Sequence, residues 1–439
     1  MSAVAISPPR IKPLHARRAA NVCVLDVGTS KVACLIGRLT PLDGGDLLRG
    51  RTHRGTILGI GVQRARGIKG GAVVDMEAAE YAIRHAVDAA ERMARLQVVS
   101  VIVNLSGGRL ASQQLLGNAG LTRAPVEFAD VQRAHEAACC DLNETSRPLL
   151  HCLPVSYRID QGEPLRDPRG MAGENLSASM HMVSCEPVAL RNIMLVVERC
   201  HLEVEGVVAS PYASGLSVLV EDEAELGTLV IDLGGGTTSI ARFAGGHVQH
   251  CDAIAVGGNH VSMDIARGLT LRLDDAERLK THYGACLPSA ADERETISIV
   301  PVGEEQGAPR QLPKAELVKI IQPRVEEILE LVRDRLAANG RAAQGGHRIV
   351  LTGGGSQLPG ITELASRILS SQVRIGRPLG MQGLPESAKS PAFAASVGLL
   401  VYPQVAAHER FEALHSRTFL ATGTGGYVSR VGRWLRESF

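Results

Sequence analysis

With 439 residues, 45% of them apolar, and a mean hydropathy of +0.05, the chain has material for more than one compact unit. Lys+Arg 47 against Asp+Glu 46 leaves a net charge of +1, and aromatic residues make up 3%; this excludes an overall field for a nucleic-acid backbone and a stacking surface for single strands. Nine cysteines, scattered except for Cys139 and Cys140 and without a C-x-x-C pair, exclude a disulfide framework or zinc site and fit reduced cytosolic thiols.

In chain order, residues 1–20 hold prolines where a signal peptide needs an apolar centre, and are read as a flexible basic tail. "CVLDVGTSKVACLIG" (23–37) then runs apolar strand, Asp26, a glycine two residues on, small hydroxyl residues and apolar strand again. "VIDLGGGTTSI" (230–240) repeats this around Asp232. Gly234, Gly235 and Gly236 are expected to admit positive φ and to let an anion approach backbone N–H groups. One such turn would be an ordinary hairpin; two, 206 residues apart, point to a duplicated domain rather than a short-period array.

That spacing exceeds what one α/β half requires, so a segment is inserted, placed at 98–183, with a helix in "VEFADVQRAHEAACCDL" and a strand in "HCLPVSYRID". The first half thus comprises 21–97, continued at 184–215 and 391–403; the second comprises 216–244, continued at 316–390, with its own insertion at 245–315. The run after 185 reads helix, strand, helix. "GGNHVSMDIARGL" and "LDDAERLKTHYG" read as helices, and "RETISIVPVG" as a strand. "KAELVKIIQPRVEEILELVRDRLAANG" is a long amphipathic helix with Pro323 as a kink or restart. The loops "ADERETIS" and "GEEQGAPR" are charged and expected to be exposed. "RIVLTGGGSQLPGITELASRIL" (348–369) is a strand, a glycine loop and a helix, with Pro359 at an early helical position. "PAFAASVGLLVYP" (391–403) reads as a buried closing helix, 404–425 as a linker, and 426–439 as an amphipathic helix. At 100° per residue, Tyr427, Val428, Val431, Trp434, Leu435 and Phe439 share one face of it, and Arg430, Arg433 and Arg436 the other. This suits the headgroup boundary of an anionic membrane, and no run of about 18 apolar residues exists to span one.

With these motifs placed, the chain resembles the actin, Hsp70 and sugar kinase superfamily, and within it the FtsA family of bacterial cell-division actin homologues. The carriers include "LDVGTSKVACLIG", "VSVIVNLSGGRL", "ELGTLVIDLGGGTTSIARF", "AERLKTHYG", "RIVLTGGGSQLPG" and the terminal "RWLRESF". The resemblance implies a duplicated actin-like, ribonuclease H-like α/β ATPase fold with an inserted subdomain in each half. It implies ATP with Mg²⁺ between the halves. Gly28, Thr29, Ser30 and Lys31 would form the first phosphate clamp, and Gly234, Gly235, Gly236, Thr237 and Thr238 the second. Asp26 and Asp232 would face each other across a hydrated Mg²⁺, which favours a few carboxylates, water and phosphate oxygens. Glu277 and Lys280, which could equally be a surface ion pair, match the pair on ribose and adenine. Gly353, Gly354, Gly355 and Ser356 would pack beside the adenosine.

The implied role is a filament-forming adaptor at the cytoplasmic face of the inner membrane. It would bind copies of itself, anionic lipid, other division proteins and the C-terminal tail of the tubulin-like protein FtsZ, at the division septum. Three alternatives stay open at this point. A small-molecule kinase on the same fold would need a catalytic base, and no acidic motif outside the two hairpins offers one. A chaperone would need a peptide-binding domain, for which the forty or so residues after Leu400 are too few. A rod-shape or pilus-assembly actin homologue is the third. No motif identifies a residue that positions a water for hydrolysis, so no catalytic residue is assigned.

Overall fold

The computed structural model describes residues 7–42, 51–122, 125–139, 147–303, 309–338 and 348–409. Its first strands follow directly from the apolar, β-branched runs on either side of the first Asp-Gly turn. Strand β1 (Ala20–Val27) pairs antiparallel with β2 (Lys31–Pro41), and β2 with β3 (His53–Arg64). A small hairpin, β4 (Ile68–Lys69) and β5 (Ala72–Val73), leads into helix α1 (Met76–Ala94). Asp75 caps this helix by accepting from Ala78 N, and Arg95 ends it at φ 55°. Next come β6 (Ser100–Leu105), β7 (Ala111–Gly120), α2 (Phe128–Cys139), β8 (Leu149–Ile159) and β9 (Asn175–Ser184). Helix α3 (Pro187–Arg199), β10 (Glu203–Ala209) and α4 (Ser210–Val218) return the chain to the second half.

That half begins with α5 (Glu221–Leu226) and the meander β11 (Thr228–Leu233), β12 (Thr238–Ala244) and β13 (His247–Ile254). Helices α6 (Gly258–Leu269) and α7 (Leu273–Tyr283) precede the hairpin β14 (Thr296–Ile299) and β15 (Arg310–Pro313), then the long α8 (Lys314–Ala338). The chain closes with β16 (Arg348–Thr352), a 3-10 turn at Gly354–Gln357, α9 (Ile361–Leu369), β17 (Gln372–Ile375), β18 (Met381–Gln382) and α10 (Ala394–Val405).

The duplication is visible in topology. One sheet has the order β10-β6-β1-β2-β3-β18 and the other β13-β12-β11-β16-β17. Read outward from the Asp-bearing strand, both place an antiparallel meander on one side and two parallel strands on the other. Side chains of the second sheet alternate between two cores. Val230, Ala241 and Val350 join the core that includes α4 and α10; Ile231, Ile240, Ile349 and Leu351 face the core of α6 to α9. Helices α4 and α10 cross so closely that a Cβ on Gly398 would run into the carbonyl of Ala213.

The described chain divides into two compact units. One holds Met1–Leu115, Glu144–Val155 and Ser179–Glu409, with both sheets just compared; the other holds Leu116–Asn143 and Ser156–Ala178. The second unit has a small core of its own around Ala119, Val131, Ala134, Tyr157 and Leu176.

Several boundaries differ from the sequence reading. Strand β6, expected to open the insertion at 98, pairs with β1 and β10 inside the first sheet, so the chain leaves that sheet only after Leu105. Strand β13, placed in the insertion beginning at 245, is the third strand of the second meander. The repeat is a whole five-strand unit, whereas the sequence analysis matched only its hairpin. The tail at 1–20 is not wholly free: Pro8 is buried, Ile11 and Leu14 pack on the core, and Arg10 donates to the carbonyls of Leu149 (2.9 Å) and Leu150 (2.8 Å). The stretch expected to open the linker at 404 is also packed, with Gln404, Val405 and Glu409 buried. Pro323 lies inside one helix, and Pro359 precedes α9, which starts after Gly360 at φ 79°. In the charged "ADERETIS" loop Asp292 is buried, paired with Lys314 at 3.2 Å. Residues 410–439, including the predicted amphipathic helix, lie outside the described residues.

Candidate functional site

Both Asp-Gly turns close in the same way. Gly28 N donates to Lys31 O at 3.0 Å and Gly234 N to Thr237 O at 3.0 Å, two residues past Asp26 and Asp232 respectively. The registers match too: Asp26 lies opposite Ala33, and Asp232 opposite Ser239. Contrary to expectation, Gly234, Gly235 and Gly236 do not take positive φ. Their need for glycine is steric, because the turns approach each other: a Cβ on Gly235 would strike Ser30 Oγ, and one on Gly236 would lie 2.5 Å from Thr29 Oγ1.

Polar side chains from three other elements hold the two carboxylates. Asn104, on β6, donates to Asp26 Oδ1 at 2.8 Å and accepts from Val27 N at 2.7 Å. Ser396, on α10, donates to Asp26 Oδ2 at 2.5 Å, and Ser214, on α4, to Asp232 Oδ2 at 2.5 Å. Each crossing helix thus supplies one hydroxyl to one Asp. Opposite Asp232 on the parallel side is Thr352, whose hydroxyl donates to the Gly376 and Pro391 carbonyls. Gly353 follows at φ 82°, and a Cβ there would run into Asp232 Oδ1, so this loop needs glycine on both conformational and steric grounds.

Burial pushes the Asp232 carboxyl up to about 6; the Ser214 hydrogen bond opposes the rise, the Asp26 charge adds to it, and Lys31 opposes it. Asp232 keeps some contact with solvent, but the protein surrounding it makes desolvation the dominant cause. Two interacting carboxylates, each bonded by a hydroxyl, form an all-oxygen donor set suited to a hard dication such as Mg²⁺. Among the described residues no group of three or more His, Cys, Asp or Glu side chains forms a cage. A dication here would therefore complete its shell with water and ligand oxygens.

Around this centre, Thr29 Oγ1 accepts from Gly71 N at 3.1 Å, and Ser30 Oγ donates to Asn259 Oδ1 at 3.4 Å. Lys31 donates to the Ala392 carbonyl and lies 4.5 Å from the Phe393 ring centre, near enough to hold the Asp232 pKa down. Thr238 commits its hydroxyl proton to Val256 O at 2.8 Å, which leaves Thr237 as the threonine of the second turn. The start of α6 packs on that turn through Gly258 N to Gly234 O (2.9 Å) and Asn259 N to Gly235 O (2.7 Å). Lys280 donates to Glu277 Oε2 (2.7 Å), Ser262 Oγ (2.9 Å) and Gly258 O (3.0 Å), so the predicted pair stands beside the second turn. Ser356 donates to Gly353 O at 2.8 Å, bracing the third loop. The same loop borders a cleft of about 530 Å³ that, of the predicted residues, touches only Ser356.

A duplicated sheet unit with an Asp-Gly turn in each copy, and two helices crossing behind them, defines an actin-like protein. Solved structures sharing the fold include the PilM-PilN type IV pilus biogenesis complex (TM-score 0.59, 16% identity, 88% of this chain and 99% of that chain) and MreB5 of Spiroplasma citri bound to AMPPNP (TM-score 0.50, 16% identity, 89% and 96%). The family described as "Cell division protein FtsA" matches residues 229–398, and "SHS2 domain inserted in FTSA" matches 107–184. Cell division protein FtsA of Agrobacterium fabrum (strain C58) is 50% identical over 433 residues, covering 98% of both chains. That of Escherichia coli (strain K12) is 36% identical over 423 residues, covering 94% of this chain and 97% of the relative. The chain belongs to the FtsA family of cell division proteins.

Proposed function

We propose that ATP with Mg²⁺ occupies the cleft between the two Asp-Gly turns, and that the loaded protein polymerises and anchors FtsZ to the cytoplasmic face of the inner membrane at the septum. The observation that carries the nucleotide reading is the pair of matched turns, Gly235 against Ser30 and Gly236 against Thr29, with Asp26 and Asp232 close enough for one charge to act on the other. Backbone N–H groups and hydroxyls of Gly28–Ser30 and Gly234–Thr237 would hold the phosphates, with Lys31 and Thr238 bracing them. Asp26 and Asp232 would hold the cation, which when bound neutralises charge between carboxylates and phosphates. Glu277 and Lys280 would take the ribose and adenine, beside Gly353, Gly354, Gly355 and Ser356. The nucleotide-bound MreB5 structure supports this through shared fold alone.

The membrane contact is assigned to Tyr427, Val428, Arg430, Val431, Arg433, Trp434, Leu435, Arg436 and Phe439, on the amphipathic pattern of the sequence. Among the described residues no helix is long and apolar enough to cross a membrane. The FtsZ tail is assigned to the region 245–315, which exposes Arg267, Arg278 and Arg294. Flotation with anionic vesicles, with and without ATP and FtsZ, tests the adaptor role: FtsZ is expected to float only when this protein is present, and better with ATP. FtsZ left in the bottom fraction in every mixture would overturn it. Reversing the charge at Arg267, Arg278 and Arg294 is expected to abolish capture of an FtsZ tail peptide; undiminished capture would move the contact elsewhere.

A further inference from the structure

Strand β3 ends at Arg64, opposite Lys31, the residue that closes the first turn. The next residue, Ala65, donates its N–H to Ser30 O at 3.0 Å, which ties the end of β3 to the first turn. Its guanidinium reaches the second half and pairs with Asp274 on α7, with Glu277 of the same helix adding attraction. That helix carries the Glu277–Lys280 pair, which is tied to the second turn through Gly258. The Arg64–Asp274 pair therefore bridges one half's phosphate turn and the other half's adenosine helix. Both side chains are well exposed, 66% and 63%, so the pair breaks without stranding a charge away from water.

We propose that Arg64 and Asp274 form a gate across the mouth of the nucleotide cleft, closed by an ion pair that must open for nucleotide to leave. The proposal rests on the reading of the cleft as an ATP site. Nothing in it requires either residue to touch the nucleotide: they are positioning residues that set how long the two halves stay together. Exposure limits the effect, since such a pair is weak and screened by salt.

The test is the dissociation rate of a fluorescent, non-hydrolysable ATP analogue with Mg²⁺, followed by stopped flow after mixing with excess unlabelled nucleotide. Arg64→Ala and Asp274→Ala are each expected to speed dissociation about two- to five-fold, the range available to an exposed ion pair. The exchanged pair Arg64→Asp with Asp274→Arg is expected to restore the slow rate, and added salt to erase the difference between wild type and the single variants. Unchanged rates in both single variants would overturn the gate while leaving the nucleotide site standing. Fast rates in both single variants that the exchanged pair fails to correct would also overturn it, by tracing the effect to something other than the attraction. Failure of the wild-type protein to bind the analogue would instead sink the ATP reading, and the gate with it.

Discussion

An ionised carboxylate partly withdrawn from water, with a second facing it, opposes folding until a cation joins the two. For Asp232 the folded pKa of about 6 stands above the ordinary 3.8, so the metal-free folded state binds its proton more tightly than the unfolded chain does. Stability therefore falls as pH rises from about 4 to about 6 and stays level above, a loss of up to about 3 kcal/mol from this group. In EDTA near neutral pH, Asp232→Asn is expected to melt above wild type, with the gap closing toward about pH 4. Identical melting across that range would contradict the account. Gly353→Ala should do the opposite, destabilising the fold by about 1–3 kcal/mol in denaturant titration through its positive φ and its clash with Asp232. The two Asp residues were legible in the sequence because the Asp-Gly turn occurs twice. Asn104, Ser214 and Ser396 were not, because one polar residue in an apolar strand or helix has no period to mark it. A signal existed for Asn104: in "VNLSGG" and "LTGGGS" a polar residue at or one short of a strand's end precedes a run of glycines, by three residues in the first and by one in the second, and those strands occupy matching places in the two sheets.

At the scale of elements, residues 7–14 act as a strap on the first sheet. Three prolines, Pro8, Pro9 and Pro13, remove backbone donors, so the strap is held by side chains: Arg10 on the Leu149 and Leu150 carbonyls, Ile11 and Leu14 on the core. Removing residues 1–14 is expected to lower stability by about 2 kcal/mol, on the partial burial of two aliphatic side chains, and Tm by several degrees. An unchanged melting curve would show that the strap contributes nothing. The segment was invisible to periodicity because it is neither helix nor strand, and its apolar residues follow no spacing. The helices and most strands were legible, since α6, α7, α8 and the Asp-bearing strands follow periods of 3.6 or long apolar runs. Their assignment to halves was less so. Whether β6 and β13 belong to a sheet or to an insertion depends on pairing partners far away in sequence, and local pattern does not encode partners.

For the whole molecule, weak contacts gain force by repetition. If residues 426–439 make the proposed membrane contact, a helix of that length would be marginal alone in water, so one copy is expected to hold a membrane weakly and a filament, if formed, firmly. Trp434→Glu is expected to abolish flotation on anionic vesicles while leaving melting and nucleotide binding unchanged; full flotation of that variant would remove the segment from the membrane contact. Family and fold class were legible because motifs from both halves recur in order along nearly the whole chain. The claim on which the rest depends is that two matched Asp-Gly turns hold one magnesium nucleotide between them. Isothermal titration of a non-hydrolysable ATP analogue, with Mg²⁺ or with EDTA, into wild type, Asp26→Asn and Asp232→Asn tests it most directly. One site per chain that requires Mg²⁺, weakened at least about tenfold by either substitution, is the predicted result; affinity unchanged by removing the metal and both carboxylates would contradict it.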